Sequence, residues 1–188
     1  MLWERSPQGS PNGSTRPLKS GWWTLEDRDV PLGEPGEMAL QGPSLFSGYW
    51  NAEEANKEDF RGGWFHMGDV FTMNPDGTID FVDRRKYMIK SGGENIYPAE
   101  IERVLLSHHL VQEAVVVRFP DPKWGETPKA YVATSALVDE NELMELCKKN
   151  LVGYKRPRYI EFIPLDKFPR STTGKVLRHE IGKRHKER

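Results

Sequence analysis

Apolar and polar positions alternate in short, frequently interrupted runs over the first half of the chain. Trp22, Trp23 and Leu25 suggest a short strand, preceded by an irregular Ser-, Pro- and Gly-rich stretch over residues 1–21. Val30 to Gly36 is turn chemistry, because Pro and Gly supply the φ values that turns need. Glu37 to Gln41 reads as a short strand ended by Gly42-Pro43. Asn51 is placed as the N-cap of a short helix with Glu53 and Glu54 in its favourable first turn, and Gly62-Gly63 closes that helix. Gly68-Asp69 puts a carboxylate just before the next strand. Val70 to Met73 and Thr78 to Val82 flank Asn74-Pro75-Asp76-Gly77, a four-residue loop with the Pro and Gly placement of a type I turn.

In the second half the period lengthens. Tyr87-Met88-Ile89-Lys90 is a short apolar alternation, broken by Ser91-Gly92-Gly93. Pro98 suits a first helical turn, and Ile101, Val104 and Leu105 share one helix face. Ala114 to Phe119 is almost continuously apolar and so reads as a central strand. Residues 120–126 form a loop, and Ala130 to Ser135 another strand. Asp139 caps a helix carrying Leu143, Leu146 and Cys147, and Tyr159 to Ile163 is a further strand. Phe168 to Gly174 is a polar loop, with helix expected from Val176. This order predicts an α+β fold: a short-stranded region followed by a compact α+β domain.

Composition narrows the function classes. The chain has 188 residues, 29% charged, with a formal net charge of −1, which gives no strongly basic nucleic-acid surface. One cysteine excludes a disulfide framework and is compatible with a reducing compartment, here the cytoplasm. No apolar run approaches the roughly 18 residues of a membrane span, and residues 1–20 lack a signal-peptide core.

The candidate chemistry centres on DRRKYMIKSGGENIYPAEIE, residues 83–102: a basic entry, a short strand, a glycine turn and a helix start. Taken alone it reads first as an ordinary strand–loop–helix connection; the alternative is close approach of bare main-chain N–H groups to a ligand. PRSTTGK, residues 169–175, differs from a Walker A loop, which needs Gly where Pro169 stands and Ser or Thr where Val176 stands. Lys175 on a glycine loop can still act as a delivered point charge. Asp69 is either a turn cap or a double acceptor for a diol. His108-His109 are adjacent and do not share a helix face, so no metal site is expected. The serines show no nucleophile-elbow pattern.

GGWFHMGD (62–69), the hairpin, the segment at 83–102, YKRPRYIEFI (154–163) and PRSTTGKVLR (169–178) occur in an order and spacing that resembles the adenylate-forming (AMP-binding) superfamily. The likeness covers roughly residues 13–180 and is to the C-terminal portion of an acyl-CoA synthetase, close to medium- and long-chain fatty-acid CoA ligases. It implies an acid–thiol ligase activity that joins a carboxylic acid to CoA with ATP and Mg2+ as co-substrates, through an acyl-AMP. It implies that Asp69 accepts from the ribose hydroxyls of the nucleotide and that Arg84 contacts the same ribose and phosphate region. It implies that Lys86 falls at the hinge and that Lys175 is the adenylation lysine. Gly92 and Gly93, flanked by Lys90 and Glu94, would line the CoA tunnel.

Met67 replaces the Thr usual in the family, and residues 13–18 resemble GSTGRPL with one Gly absent. Nothing matches the family's upstream phosphate loop, so an upstream N-terminal domain carrying most of the ATP site and the acyl pocket is expected as a partner. The expected organisation is residues 1–84 as the distal part of that domain, 85–88 as the hinge, and 89–188 as a C-terminal lid, the isolated chain being inactive or nearly so. A non-catalytic binding module, or part of a carrier-protein-loading adenylation domain, remains as an alternative.

Overall fold

The computed structural model describes residues 19–23 and 28–183. The readings made on residues 13–18 and on Leu25 lie outside them. The chain divides into two units, Met1–Arg85 and Lys86–Arg188.

The first unit is an antiparallel sheet in the order β1-β2-β3-β4, formed by β1 (Lys19–Trp23), β2 (Pro35–Gln41), β3 (Phe65–Met73) and β4 (Ile79–Arg84). β1 begins inside the stretch expected to be irregular, because Lys19 to Trp23 pair residue by residue with Gln41 to Glu37. Helix α1 (Glu53–Asp59) has Glu53 and Glu54 in its first turn, but its cap is Ala52 and no side chain caps it. Asn51 instead takes a left-handed φ of 48°, a conformation its short polar side chain tolerates. A separate 3-10 turn, Arg61–Gly63, follows α1. Phe46 packs edge-on against Tyr49, Phe60 and Phe65. The β3–β4 hairpin closes over Asn74-Pro75-Asp76-Gly77, with the Gly77 N–H donating to the Asn74 carbonyl at 2.9 Å.

Asp69 lies within β3, not before it. Gly68 at φ 71° introduces a bulge: between the pairs Glu37↔Val70 and Ala39↔His66, residues 67 to 69 oppose the single Met38. The strand therefore continues through Gly68 while Asp69 is re-aimed. At the centre of the unit Glu37, 3% exposed, accepts at Oε2 from Arg61 and Arg85, both at 2.9 Å, and stands 3.2 Å from His66 Nδ1. A carboxylate this buried needs such partners.

The second unit is built on a long hairpin, β7 (Val111–Asp121) and β8 (Gly125–Thr134). The other edge of β8 is shared by β5 (Ile89–Ser91), which meets it at Ser91↔Gly125, and by β9 (Tyr159–Phe162), which runs parallel to it. β5 pairs with β6 (Glu94–Ile96). Helices α2 (Pro98–Leu106), α3 (Glu140–Asn150) and α4 (Arg178–Lys183) complete the unit. Pro98 opens α2, and Asp139 caps α3 by accepting the Asn141 N–H at 2.9 Å.

β7 departs from expectation: among the described residues it pairs only with β8 and is an edge strand. Its apolar run arises because both faces are covered. Ala114 and Val116 join Ile101, Leu105, Leu143 and Cys147 on one side; Val115 and Val117 join Tyr131, Phe168 and Ile181 on the other. Two covered faces produce continuous hydrophobicity whatever the strand's place in the sheet. The expected loop at 120–126 is also shorter, since pairing runs to Asp121↔Gly125. Burial on the α2–α3 side pushes the Cys147 thiol up to about 11, an inert structural thiol.

Candidate functional site

Asp69 and Arg84 are brought together. They face each other across β3 and β4, and Arg84 Nε stands 2.7 Å from Asp69 Oδ1. This contact is electrostatic without the alignment of a hydrogen bond, and Oδ1 is buried with no hydrogen-bond partner among the described residues. A buried acceptor in that condition retains capacity for a ligand's donors.

Lys86 lies in a 3-10 turn, Arg85–Tyr87, at the start of the second unit. Tyr87 and Met88, expected in a strand, precede β5. The glycine pair then closes a hairpin rather than leading directly to a helix: Gly92 (φ 59°) and Gly93 (φ 91°) form the two-residue loop between β5 and β6. Two positive φ values are the signature of a type I′ turn, which matches the twist of the flanking strands. Lys90 pairs with Asn95 and Glu94 with Ser91 on the two arms, and both are exposed.

The Gly92 N–H is not bare. It donates to the Trp124 carbonyl at 2.9 Å, and a Cβ built on Gly92 would meet Trp124 Cε3 at 2.6 Å. Trp124 is held in turn by Asp121, whose Oδ1 accepts the Lys123 and Trp124 N–H groups at 2.8 and 2.9 Å. Those bonds, Trp124's foremost, then the pairing with Arg158, hold the Asp121 carboxyl below the usual carboxylate range. At Gly93 a Cβ would meet nothing. The turn is therefore covered by the Trp124 ring at Gly92 and open at Gly93, and offers that open backbone rather than a row of donors.

Lys175 sits in a second tight loop. Ser171 N–H donates to the Lys175 carbonyl at 2.8 Å, and Gly174 turns at φ 81°. Arg170 braces it, donating to the Gly174 carbonyl at 3.0 Å and to Glu113 Oε2 at 2.5 Å. The Lys175 side chain is exposed and has no carboxylate partner among the described residues. After the loop, Arg178 binds Glu102 and the Val116 carbonyl.

The two loops stand at opposite ends of the β7–β8 hairpin. The Lys175 loop is tied to Glu113, which pairs with Ala133, and the glycine turn is tied to the Asp121–Gly125 end. At about 3.4 Å per residue, Glu113 and Asp121 are about 27 Å apart. Trp124 and Asp121 were not singled out from sequence. The Asp121-Pro122-Lys123-Trp124-Gly125 turn signature was available, but nothing local links it to Gly92.

Among the described residues no group of three or more His, Cys, Asp or Glu could hold a metal ion, and no helix is long and apolar enough to cross a membrane. His108 lies beyond the end of α2 and contacts Glu142 at 2.9 Å.

Residues 100–175 match the family described as AMP-binding enzyme C-terminal domain. The chain is similar to 2-succinylbenzoate–CoA ligase of Bacillus licheniformis, 46% identical over 149 residues, 79% of this chain and 31% of the relative. It is similar to feruloyl-CoA synthase of an Amycolatopsis species, 46% identical over 157 residues, 82% of this chain and 32% of the relative. Among solved structures it resembles o-succinylbenzoate CoA synthetase from Bacillus subtilis in complex with its acyl-adenylate intermediate, with TM-score 0.78 and 38% identity over 87% of this chain and 33% of that one. ATP-bound MatB from Rhodopseudomonas palustris gives TM-score 0.80 and 29% identity over 90% and 34%. The chain spans about a third of the length of the curated relatives it matches.

Proposed function

We propose, from the premise that the chain belongs to the adenylate-forming superfamily as its C-terminal portion, with residues 100–175 the AMP-binding enzyme C-terminal domain, that it supplies the ribose contact, the hinge and the lid of an ATP-dependent acid–CoA ligase. In the first half-reaction a carboxylate oxygen attacks the α-phosphorus of ATP, the bond to the bridging oxygen breaks, and pyrophosphate leaves. In the second, the CoA thiol gives up its proton, its sulfur attacks the acyl carbon, and AMP leaves with the carboxylate's oxygen.

The observation that carries this reading is the placement of Lys175 and the Gly92-Gly93 turn at opposite ends of one small unit. The first step gathers negative charge between two anions, where a lysine stabilises the transition state. The second needs an unobstructed path for a thiol arm, for which a turn open at Gly93 is suited. Rotation at Lys86 would exchange the two faces. Asp69 Oδ1 would accept from the ribose hydroxyls, with Arg84 beside it countering phosphate charge. Lys90 and Glu94 would border the thiol path. Mg2+ would arrive with the ATP phosphates. The reaction is assigned to the cytoplasm, where ATP and CoA are held.

The acid is better taken as aromatic than as a medium- or long-chain fatty acid, because the relatives named act on succinylbenzoate and ferulate. Graft residues 19–183 in place of the matching segment of 2-succinylbenzoate–CoA ligase and follow both half-reactions. Restored adenylation and thioester formation are expected. A correctly folded chimera that performs neither would end the proposal.

A further inference from the structure

We infer that the joint at Lys86 is narrowed to the torsions between the Arg85 Cα and the Lys86 carbonyl by side chains that fasten the chain on each side, with Arg118 as the positioning residue on the lid side. The inference rests on the hinge reading above. On the upstream side the Arg85 guanidinium donates to the buried Glu37 carboxylate at 2.9 Å, which Arg61 also holds. The Arg84 N–H donates to Asp83 Oδ1 at 2.7 Å, and Asp83 is itself buried.

Downstream, one terminal nitrogen of Arg118 donates to the carbonyls of Lys86 at 2.6 Å and Met88 at 3.3 Å. Its other terminal nitrogen lies 3.7 Å from Glu126 Oε1. The second oxygen of Glu126 accepts the Lys90 N–H at 3.0 Å. Between these points the Arg178 guanidinium covers the Tyr87 ring at 4.8 Å. Arg118 thus belongs to β7 while fixing the peptide plane that follows Lys86, so everything beyond that carbonyl moves with the lid. A planar fork of five donors can hold two carbonyls and a carboxylate together; an ammonium cannot reproduce that geometry.

Arg118 is the one charged residue in the run from Ala114 to Phe119, and on a strand edge it would otherwise be a solvated surface cation. The clasp has a consequence that a surface cation lacks. A swinging domain attached through a loose segment would sample many orientations; one attached through a single short joint has a defined arc. Hinges are commonly a few positions that absorb the φ/ψ change.

The test is backbone 15N relaxation and amide hydrogen exchange on the 188-residue chain and its variants. In the native chain, order parameters for Tyr87 to Lys90 should equal those of β7, about 0.85, with a dip confined to Arg85 and Lys86. Arg118→Ala should lower Tyr87 to Lys90 toward about 0.6 while the β7 and β8 resonances hold their positions, and Arg118→Lys should recover only part of the loss. Glu126→Leu, which removes both acceptor oxygens at similar volume, should speed exchange of the Lys90 amide several-fold and tests the clasp even where Arg118→Ala does not fold. Unchanged values in Arg118→Ala, or unchanged Lys90 exchange in Glu126→Leu, overturn the clasp. Mobility spread across residues 83–90 in the native chain overturns it and leaves a broader hinge standing. Rigidity across the whole segment in the order parameters and in μs–ms relaxation dispersion alike overturns the clasp and the hinge reading together.

Discussion

The Asp121–Gly125 end of the β7–β8 hairpin presents backbone, whereas the Glu113 end presents a side chain. The glycine turn is determined from several directions: Gly92 is hydrogen-bonded to Trp124, closed off above by the indole, and anchored through Trp124 to Asp121. The Lys175 loop fixes only its backbone, by the Ser171–Lys175 bond and the Arg170 brace, and leaves the ammonium exposed. The difference suits the chemistry proposed for each. A passage must keep its shape, so its walls are rigid. A charge that meets a developing anion gains from a long stem on a steady base, since Lys is a compact charge on a flexible chain.

The contrast predicts separable losses, all measured in the chimeric ligase. Lys175→Ala should slow adenylation by about 100- to 1000-fold, about 3–4 kcal/mol, while thioester formation from supplied acyl-AMP stays near native. Single-turnover assays of each half-reaction check this, and equal losses in both would erase the distinction between the two ends. Gly92→Ala should do the reverse. It places a Cβ against a rigid ring at φ 59°, where left-handed backbone alone costs about 1–2 kcal/mol. Thioester formation should fall about 5- to 30-fold by that cost, with adenylation spared. Gly93→Ala, which meets no neighbour, should lose less, and a larger loss than Gly92→Ala would show that the Trp124 contact is unimportant.

Arg170→Ala probes the base under Lys175. It removes a partly exposed ion pair to Glu113 and should cost less than about 1 kcal/mol in stability. Adenylation should still slow a few-fold, since misplacing a catalytic group is costly; thermal melting and the adenylation assay separate the two effects. The smallest effect is a pH dependence at the other end. The Asp121 carboxyl is depressed, first by the Trp124 N–H and then by Lys123 and Arg158. A depressed acid contributes stability that is full above its ordinary value of 3.8 and is lost as the pH falls through its lower folded value. Asp121→Asn should therefore remove stability at neutral pH and flatten the acid limb of the Trp fluorescence titration below that value. An unchanged limb would deny Asp121 its part in holding the turn.

The candidate residues Asp69, Arg84, Lys86, Gly92, Gly93 and Lys175 were named from ordered motifs that resemble a family, and their roles stand as proposals; the hairpin at 74–77 and the Asp139 cap came from turn and capping chemistry that acts over a few residues. Contacts across long separations were not legible. β6 is three residues long, too short for any period to register. Asp69 was expected before a strand because Gly68 reads as a break; pairing with β2 carries the strand through as a bulge. Arg118 lies 32 residues from Lys86, and no local pattern joins them.

Local chemistry along the chain was sufficient for the α+β class, the Asp139 cap and the turn at 74–77, because those depend on φ preferences and neighbours within a turn or two; the candidate site residues came from the resemblance carried by ordered motifs. The closing of β7's second face, the seating of Trp124 over Gly92, the unaligned Asp69–Arg84 contact and the fastening of Arg118 to the Lys86 carbonyl were decided only when distant segments packed. A hydrogen bond or a steric contact exists at a distance of a few ångströms, and only the folded chain sets which residues come within it.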